Sequence, residues 1–311
     1  MLNQKEINDL SEGLIKRFSD IKLIIQFGSS VSGDYNKDIS DVDLAIITNS
    51  KRIEKKIRNF IFRIHISFEI QIHIFSIKLF IKNLKEAEPL SLSVLYTGNA
   101  LYNEEYHLKL KNKFFKADNK TVRKCMLNSF GALGLGISDL TNDMLQDSIN
   151  SFYHAARSSI WATLFNEEIT PNNKKIFELV KNKKIRKLYK RIIDFRKNIP
   201  DYETDINLSK KIYKKGNINH FTQILKDTIE IVKINYKKTF KKDFVGFFDI
   251  LRLLNKRYKR IHDYYSVFLS VNWKREIPFY FITFSFKNKK WLLIEINANN
   301  RKIKETILKE S

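Results

Sequence analysis

The residues in this chain with the strongest claim to chemistry lie between Ile21 and Thr48, IKLIIQFGSSVSGDYNKDISDVDLAIIT. An apolar run, Leu23, Ile24, Ile25 and Phe27, stops at Gly28-Ser29. A polar loop follows, and Asp41 and Asp43 then flank Val42 at the head of a second apolar run, Leu44 to Ile47. Two strands joined this way place a phosphate-sized hole beside two carboxylates. Gly28 lets the backbone approach a ligand closely. A helix starting near Ser29 would aim free backbone N–H groups at an anion. Residues two apart in a strand share a face, so Asp41 and Asp43 point the same way. Hard oxygen donors on one face suit Mg²⁺, which is commonly held by one or two carboxylates plus substrate phosphates. The same residues also describe a glycine turn followed by a solvated Asp-x-Asp strand cap.

These residues have to be positioned by the elements around them. Asn3 to Phe18 has apolar residues at Ile7, Leu10, Leu14, Ile15 and Phe18, a helical spacing. Arg52 to Phe62 reads as a helix. Ile64 to Phe75 alternates nearly perfectly, with the isoleucines and Phe68 on one face and His65, Ser67, Glu69, Gln71 and His73 on the other, which predicts a half-buried strand. His65 and His73 on that face could touch a nucleotide or metal, or be exposed strand histidines. Helices at Lys78 to Lys85 and around Leu90 to Tyr96 lead to a short strand ending at Tyr102, and a domain boundary is expected near Asn103.

The ordered set Gly28-Ser29, Gly33 and Ser40-Asp41-Val42-Asp43-Leu44 resembles the catalytic signature of DNA polymerase β-type nucleotidyltransferases, in particular the minimal nucleotidyltransferase branch. The resemblance implies a metal-dependent enzyme that uses an NTP as substrate, ATP included. It implies two Mg²⁺ ions between Asp41, Asp43 and a third carboxylate on the next core strand. Glu69 is the acid on that strand and takes the third role by resemblance; otherwise it is a solvent-exposed glutamate. Gly28, Ser29 and Ser40 become nucleotide-binding residues. One departure is visible: many relatives carry Arg before the second glycine, and here Ser32 stands there.

Composition sets bounds on the rest. The chain has 311 residues, of which 43% are hydrophobic, compatible with globular folding over two or three domains. The single cysteine, Cys125, excludes an intramolecular disulfide and fits a reducing compartment. The opening Met-Leu-Asn-Gln-Lys-Glu lacks the apolar core of a signal peptide, and the apolar run Ile277 to Phe286 is too short to span a bilayer as a helix. A cytoplasmic protein without a membrane anchor is expected. Net charge is +23, unevenly spread. Residues 1–103 hold 14 basic and 12 acidic side chains, residues 104–235 hold 25 and 15, and residues 236–311 hold 18 and 7. A basic excess outside the catalytic stretch favours a polyanionic partner, although an AT-rich genome would inflate Lys, Asn and Ile as well.

Beyond Asp118 strand-like alternation disappears until about residue 264. Gly131, Gly134 and Gly136 mark either a close helix–helix approach or a helix break. Asp147 to Phe165 carries a continuous apolar stripe of Ile149, Phe152, Tyr153, Ala156, Ile160 and Leu164. Thr170-Pro171 reads as a helix start, and Ile185 to Lys197 and Ile218 to Tyr236 as further helices. The DSINSFYHAARSSIWATLF helix and the later R-K-N-I-P-D-Y segment resemble the HEPN family, whose bundles accompany minimal nucleotidyltransferases, fused or as separate toxin–antitoxin partners. A generic four-helix bundle would share that packing. The R-x4-H spacing of HEPN RNases occurs only later, at Arg257 and His262, outside the HEPN-like segment, where a basic helix end running into a strand is the favoured account.

The expected architecture is therefore α+β: a mixed-sheet nucleotidyltransferase domain over 1–103, a HEPN-like helical bundle over 104–236, and a small basic α/β unit over 237–311. The last unit reads α-β-β-β-α, with a closing helix at Asn300 to Lys309, and is similar in topology to a double-stranded-RNA-binding domain without that family's glycines. Its cluster Lys256, Arg257, Lys259 and Arg260 is a candidate nucleic-acid contact. The expected reaction moves an NMP from an NTP to a hydroxyl of RNA, tRNA among the candidates. Protein NMPylation within a toxin–antitoxin system, an aminoglycoside-type small-molecule acceptor, and a non-catalytic nucleic-acid-binding module are the other readings.

Overall fold

The computed structural model describes residues 4–32, 41–64, 66–86, 88–113, 118–142, 144–165, 172–198, 217–257, 263–272, 277–285, 291–299 and 302–308. Two compact units emerge: residues 1–124 with 164–179, and residues 125–163 with 180–311.

The first unit is built on a four-stranded mixed sheet. Helix α1 (Gln4–Arg17) precedes strand β1 (Ile21–Phe27), the short helix α2 (Ser29–Ser32) and strand β2 (Val42–Thr48). Helix α3 (Glu54–Phe62), strand β3 (Ile70–Ser76), helices α4 (Ile77–Lys85) and α5 (Pro89–Thr97), strand β4 (Asn99–Tyr102) and helix α6 (Glu104–Lys111) follow. The strand order is β3-β2-β1-β4. β2 runs antiparallel to β1 and parallel to β3, and β4 closes the other edge antiparallel to β1.

Both faces of this sheet are covered, which is why β1 and β2 read as near-continuous apolar runs. On one face Ile7, Leu10 and Leu14 of α1 and Ile57 and Ile61 of α3 pack on Ile24, Leu44, Ile46 and Ile74. On the other, Phe80 and Leu84 of α4, Leu92 and Leu95 of α5 and Leu110 of α6 pack on Leu23, Ile25, Phe27, Ala45 and Ile47. The helices are fixed by caps: Ser76 accepts from Leu79 N–H at the start of α4, and the Glu88 carboxylate accepts from Leu90 and Ser91 N–H ahead of Pro89.

Two expectations are refined here. The third strand is Ile70–Ser76, not Ile64 to Phe75. Within it the alternation holds, with Ile70, Ile72 and Ile74 towards the α1/α3 core. Ile64, Ile66 and Phe68 join that same core from outside the strand, so the alternating pattern outruns the pairing with β2, which ends at Val42↔Ile70. The boundary expected near Asn103 falls inside the first unit. Asn103 has φ 59° and caps α6, its Oδ1 accepting from Tyr106 N–H while its Nδ2 donates to Lys22 O at 3.0 Å. His107 Nε2 donates to Leu95 O at 2.9 Å, and Leu110 is buried, so α6 belongs to the sheet before it.

The second unit takes most of helices α7 (Asn119–Thr141) and α8 (Leu145–Leu164). It continues, past α9 (Asn173–Leu179) of the first unit, with α10 (Lys183–Lys197) and α11 (Asn217–Phe240). The glycine-rich part of α7 is an unbroken helix, and the reason lies at Gly136. A Cβ there would come within 2.6 Å of the Phe152 ring and 3.0 Å of Ser148 O. Ser129 Oγ donates to Ala155 O at 2.7 Å along the same approach. At the start of α9 the cap is Asn172, whose Oδ1 accepts from Lys175 N–H, so the helix begins two residues later than Pro171 suggested. Asp227 of α11, 2% exposed, takes a two-pronged bond from Arg191 of α10 at 2.6 Å per contact.

Helix α12 (Phe247–Arg257) leads into strands β5 (Asp263–Asn272), β6 (Ile277–Ser285), β7 (Trp291–Asn297) and β8 (Ile303–Leu308), an antiparallel meander in sequence order. The closing helix expected at Asn300 to Lys309 is strand β8, paired with β7 from Leu308↔Trp291 to Ile303↔Ile296. Its Ile303, Thr306 and Ile307 are β-branched, a preference that wins over six residues with no helix cap. The boundary expected at 236 falls within α11. Tyr236 of that helix packs edge-on against Phe130 of α7 and Phe244, and Phe244 stacks 6.1 Å from Tyr280 of β6. Tyr280 OH donates to Val245 O, and Val245 N–H donates to Ala298 O at 2.7 Å, so helices and sheet share one core. The chain is thus α+β: a mixed four-stranded sheet with helices, a helical region, and a small antiparallel sheet. Among the described residues no helix is long and apolar enough to cross a membrane.

Candidate active site

The site forms where the apolar face of the first sheet runs out. Leu23, Ile25, Phe27, Ala45 and Ile47 share the face covered by α4, α5 and α6. Asp43, opposite Phe27 in the β1–β2 register, continues that face one step beyond Ala45. The carboxylate is mostly covered, with 16% of its side chain exposed. Asp41 stands immediately before β2, two residues before Asp43.

Gly28 ends β1 with φ +73°, and here the glycine is required twice over. The backbone is left-handed, and a Cβ would collide with the Asp43 carboxylate, coming within 2.9 Å of its Cγ. The carboxylate therefore lies directly over the turn that opens α2. Around that turn Ser30 Oγ donates to Phe27 O at 3.0 Å, and buried Gln26 donates to Ser30 Oγ at 3.2 Å. Gln26 in turn accepts from Gln4 of α1. These bonds fix the mouth of the site from β1 and α1 together.

β3 supplies the third side. Its parallel register places Gln71 beside Asp43 and His73 beside Ala45, all on one face. His73 Nε2 lies 3.8 Å from Asp43 Oδ1, and its ring leans on Phe27 with centroids 5.5 Å apart. Glu69 precedes the strand and is exposed, while its carbonyl accepts from Val42 N–H at 2.8 Å. The structure thus brings Gly28, Ser29, Asp41, Asp43 and the backbone of Glu69 to one end of the sheet. His73 joins them on the strength of strand pairing, which alternation along a single strand does not reveal. Ser40, with Gly33, lies outside the described residues, as do Lys259, Arg260 and His262. Lys256 and Arg257 end α12 in the second unit.

The donor set is the Asp43 carboxylate over a glycine turn, with an imidazole alongside and Asp41 two residues before it. Among the described residues no three His, Cys, Asp or Glu side chains converge on one point for an ion. A carboxylate seated over a glycine turn that a Cβ would fill does fit a divalent ion whose remaining positions belong to phosphates.

Comparison with known proteins bears on the first unit. Residues 7–96 match the family model described as Nucleotidyltransferase domain, and that segment contains Gly28, Ser29, Asp41, Asp43, Glu69 and His73. No curated protein matches the chain. Among solved structures, a nucleotidyltransferase-like protein from Exiguobacterium sibiricum 255-15 aligns at 11% identity and a TM-score of 0.32 over 82% of this chain and 81% of that one. At that TM-score the likeness is too distant to bear on function.

Proposed function

We propose that the protein is an Mg²⁺-dependent nucleotidyltransferase that moves an NMP from an NTP to a hydroxyl on a macromolecular acceptor, with RNA favoured. The observation that carries the reading is the Asp43 carboxylate seated over the left-handed Gly28 turn, inside a segment that matches the nucleotidyltransferase family.

In the reaction the acceptor oxygen bonds to the α-phosphorus, the bond from that phosphorus to the bridging oxygen breaks, pyrophosphate leaves, and the hydroxyl proton passes to water. Gly28 and Ser29 offer the phosphates a close backbone approach. Asp41 and Asp43 would hold the divalent ions. Bound ions would neutralise phosphate charge and lower the pKa of the attacking hydroxyl, the in-line displacement arrangement. Phe27 and the α4–α6 core close the site's inner end and exclude water from it.

The acceptor is argued from charge. The basic excess lies beyond residue 103, and the HEPN likeness of residues 118–236 points to RNA-associated systems. The test is transfer of label from α-³²P-NTP with Mg²⁺ and cell extract. We expect label in RNA, lost on RNase treatment. Binding should weaken steeply with salt, and converting Lys256, Arg257, Lys259 and Arg260 to Ser should flatten that slope. Label that survives RNase and migrates with protein would replace RNA by a protein acceptor.

A further inference from the structure

Resting on the proposed transfer reaction, we infer that His73, and not Glu69, is the β3 donor of the metal–nucleotide site, giving that site a nitrogen ligand beside Asp43.

Three observations converge on this assignment. The first is register. β3 pairs with β2 in parallel, so the β3 side chains on the Asp43 face are Gln71 and His73, with Glu69 before the strand. Gln71 stands directly beside Asp43 but carries no charge and is exposed. His73 is one step deeper, and its ring turns back towards Asp43. The second is burial. His73 and Asp43 have 24% and 16% of their side chains exposed, whereas Glu69 is an exposed residue. A donor that must meet an ion in a water-poor pocket is better placed at the former position. The third is spacing. Nε2 and Oδ1 are 3.8 Å apart, beyond a hydrogen bond. Two ligands each about 2.1 Å from one ion sit about 3 Å apart at right angles and about 4 Å apart when opposite. At 3.8 Å the pair lies between these two arrangements, so a small turn of either side chain brings both donors onto one ion. Phe27, packed on the imidazole, limits the ring's freedom to turn away.

An imidazole changes which ion the site prefers. Carboxylate, carbonyl and water ligands suit Mg²⁺, while imidazole favours first-row transition ions. A site with Asp43 and His73 as neighbouring donors should bind Mn²⁺ more tightly than Mg²⁺. Phosphates of the NTP would fill the open positions.

The experiment titrates the purified full chain with Mn²⁺, alone and with ATP, following free Mn²⁺ by electron paramagnetic resonance. Bound samples are then inspected by electron spin echo for modulation from a directly bound nitrogen. We expect nitrogen modulation in the wild type and in Glu69→Gln, and its absence in His73→Ala. His73→Ala should weaken Mn²⁺ by at least about tenfold, the low end of what loss of even an outer-shell partner costs. His73→Asp should restore binding without the nitrogen signal and shift preference towards Mg²⁺, which also shows that the variant folds. Absent nitrogen modulation in the wild type, or unchanged Mn²⁺ affinity in His73→Ala with loss in Glu69→Gln, would overturn the assignment. Because the readout is binding, it separates from the transfer reading: Mn²⁺ held through His73 without any label transfer would sink the proposed reaction and leave the ligand standing.

Discussion

The two sheets of this protein solve the same packing problem differently, and the difference sets Asp43 apart from an ordinary surface acid. The first sheet is covered on both faces, so apolar residues occupy both sides of β1 and β2. The C-terminal sheet buries alternate positions, Tyr280 and Ile282 on β6 and Ile294 and Ile296 on β7, and leaves the residues between them only partly covered. Glu295 stands on that partly covered side, opposite Lys304 of β8, where a charged cross-strand pair is ordinary. Asp43 differs. It faces Phe27 and follows the buried line of Ile47 and Ala45 on an otherwise apolar face, with the His73 imidazole 3.8 Å away, a placement that supports the proposed site.

The comparison can be broken most directly at Asp43 and Asp41. Asp43→Ala or Asp41→Ala should reduce label transfer to background while leaving the thermal transition unchanged or raised. Near-wild-type transfer in either variant would make Asp43 as incidental as Glu295. Next in size is the one-faced core of the second sheet. Ile282→Ala should cost about 2–5 kcal/mol by chemical denaturation, against no more than about 0.5 kcal/mol for Glu295→Gln. Similar costs for the two would mean that the C-terminal sheet does not pack on one face. Gly28→Ala sharpens the contrast from the other side. The left-handed backbone alone should cost about 1–3 kcal/mol, and the displaced Asp43 carboxylate should weaken NTP binding, measurable by calorimetry. Glycine replaced there without any change in NTP affinity would detach the turn from the site.

The smallest effect concerns acid. Burial lowers the pKa of His107 below its usual 6.5, opposed by its bond to Leu95 O. The unfolded chain therefore binds a proton that the folded chain resists, and stability should fall as pH drops below about 6.5. Melting temperatures at pH 7.5 and 5 should differ less in His107→Gln than in the wild type. An identical pH dependence in the variant would place the acid sensitivity elsewhere.

Much of the first unit was legible in its sequence because its signals are local. The apolar runs of β1 and β2, the stripe of α1 and the glycine before Ser29 each fix their own element. Asp41 and Asp43 sit at a strand head, where the pattern put them. What the sequence concealed was pairing. Alternation from Ile64 to Phe75 is real, but only the register with β2 shows that the strand starts at Ile70 and that His73 faces Asp43. The C-terminal segment misled for a related reason. Ile303 to Leu308 is short, charged and β-branched, and only β7 beside it makes it a strand. The domain cuts near 103 and 236 followed composition, whereas Leu110 and Tyr236 follow the cores they are buried in.

Asn103 carries a practical consequence for anyone who wishes to isolate the first sheet. Its side chain joins β1 to the start of α6, and α6 shields Leu92 and Leu95 through Leu110. Protein expressed only to residue 103 would present that uncovered apolar surface to solvent and should precipitate, while a chain carried through Lys113 keeps its lid and should stay in solution.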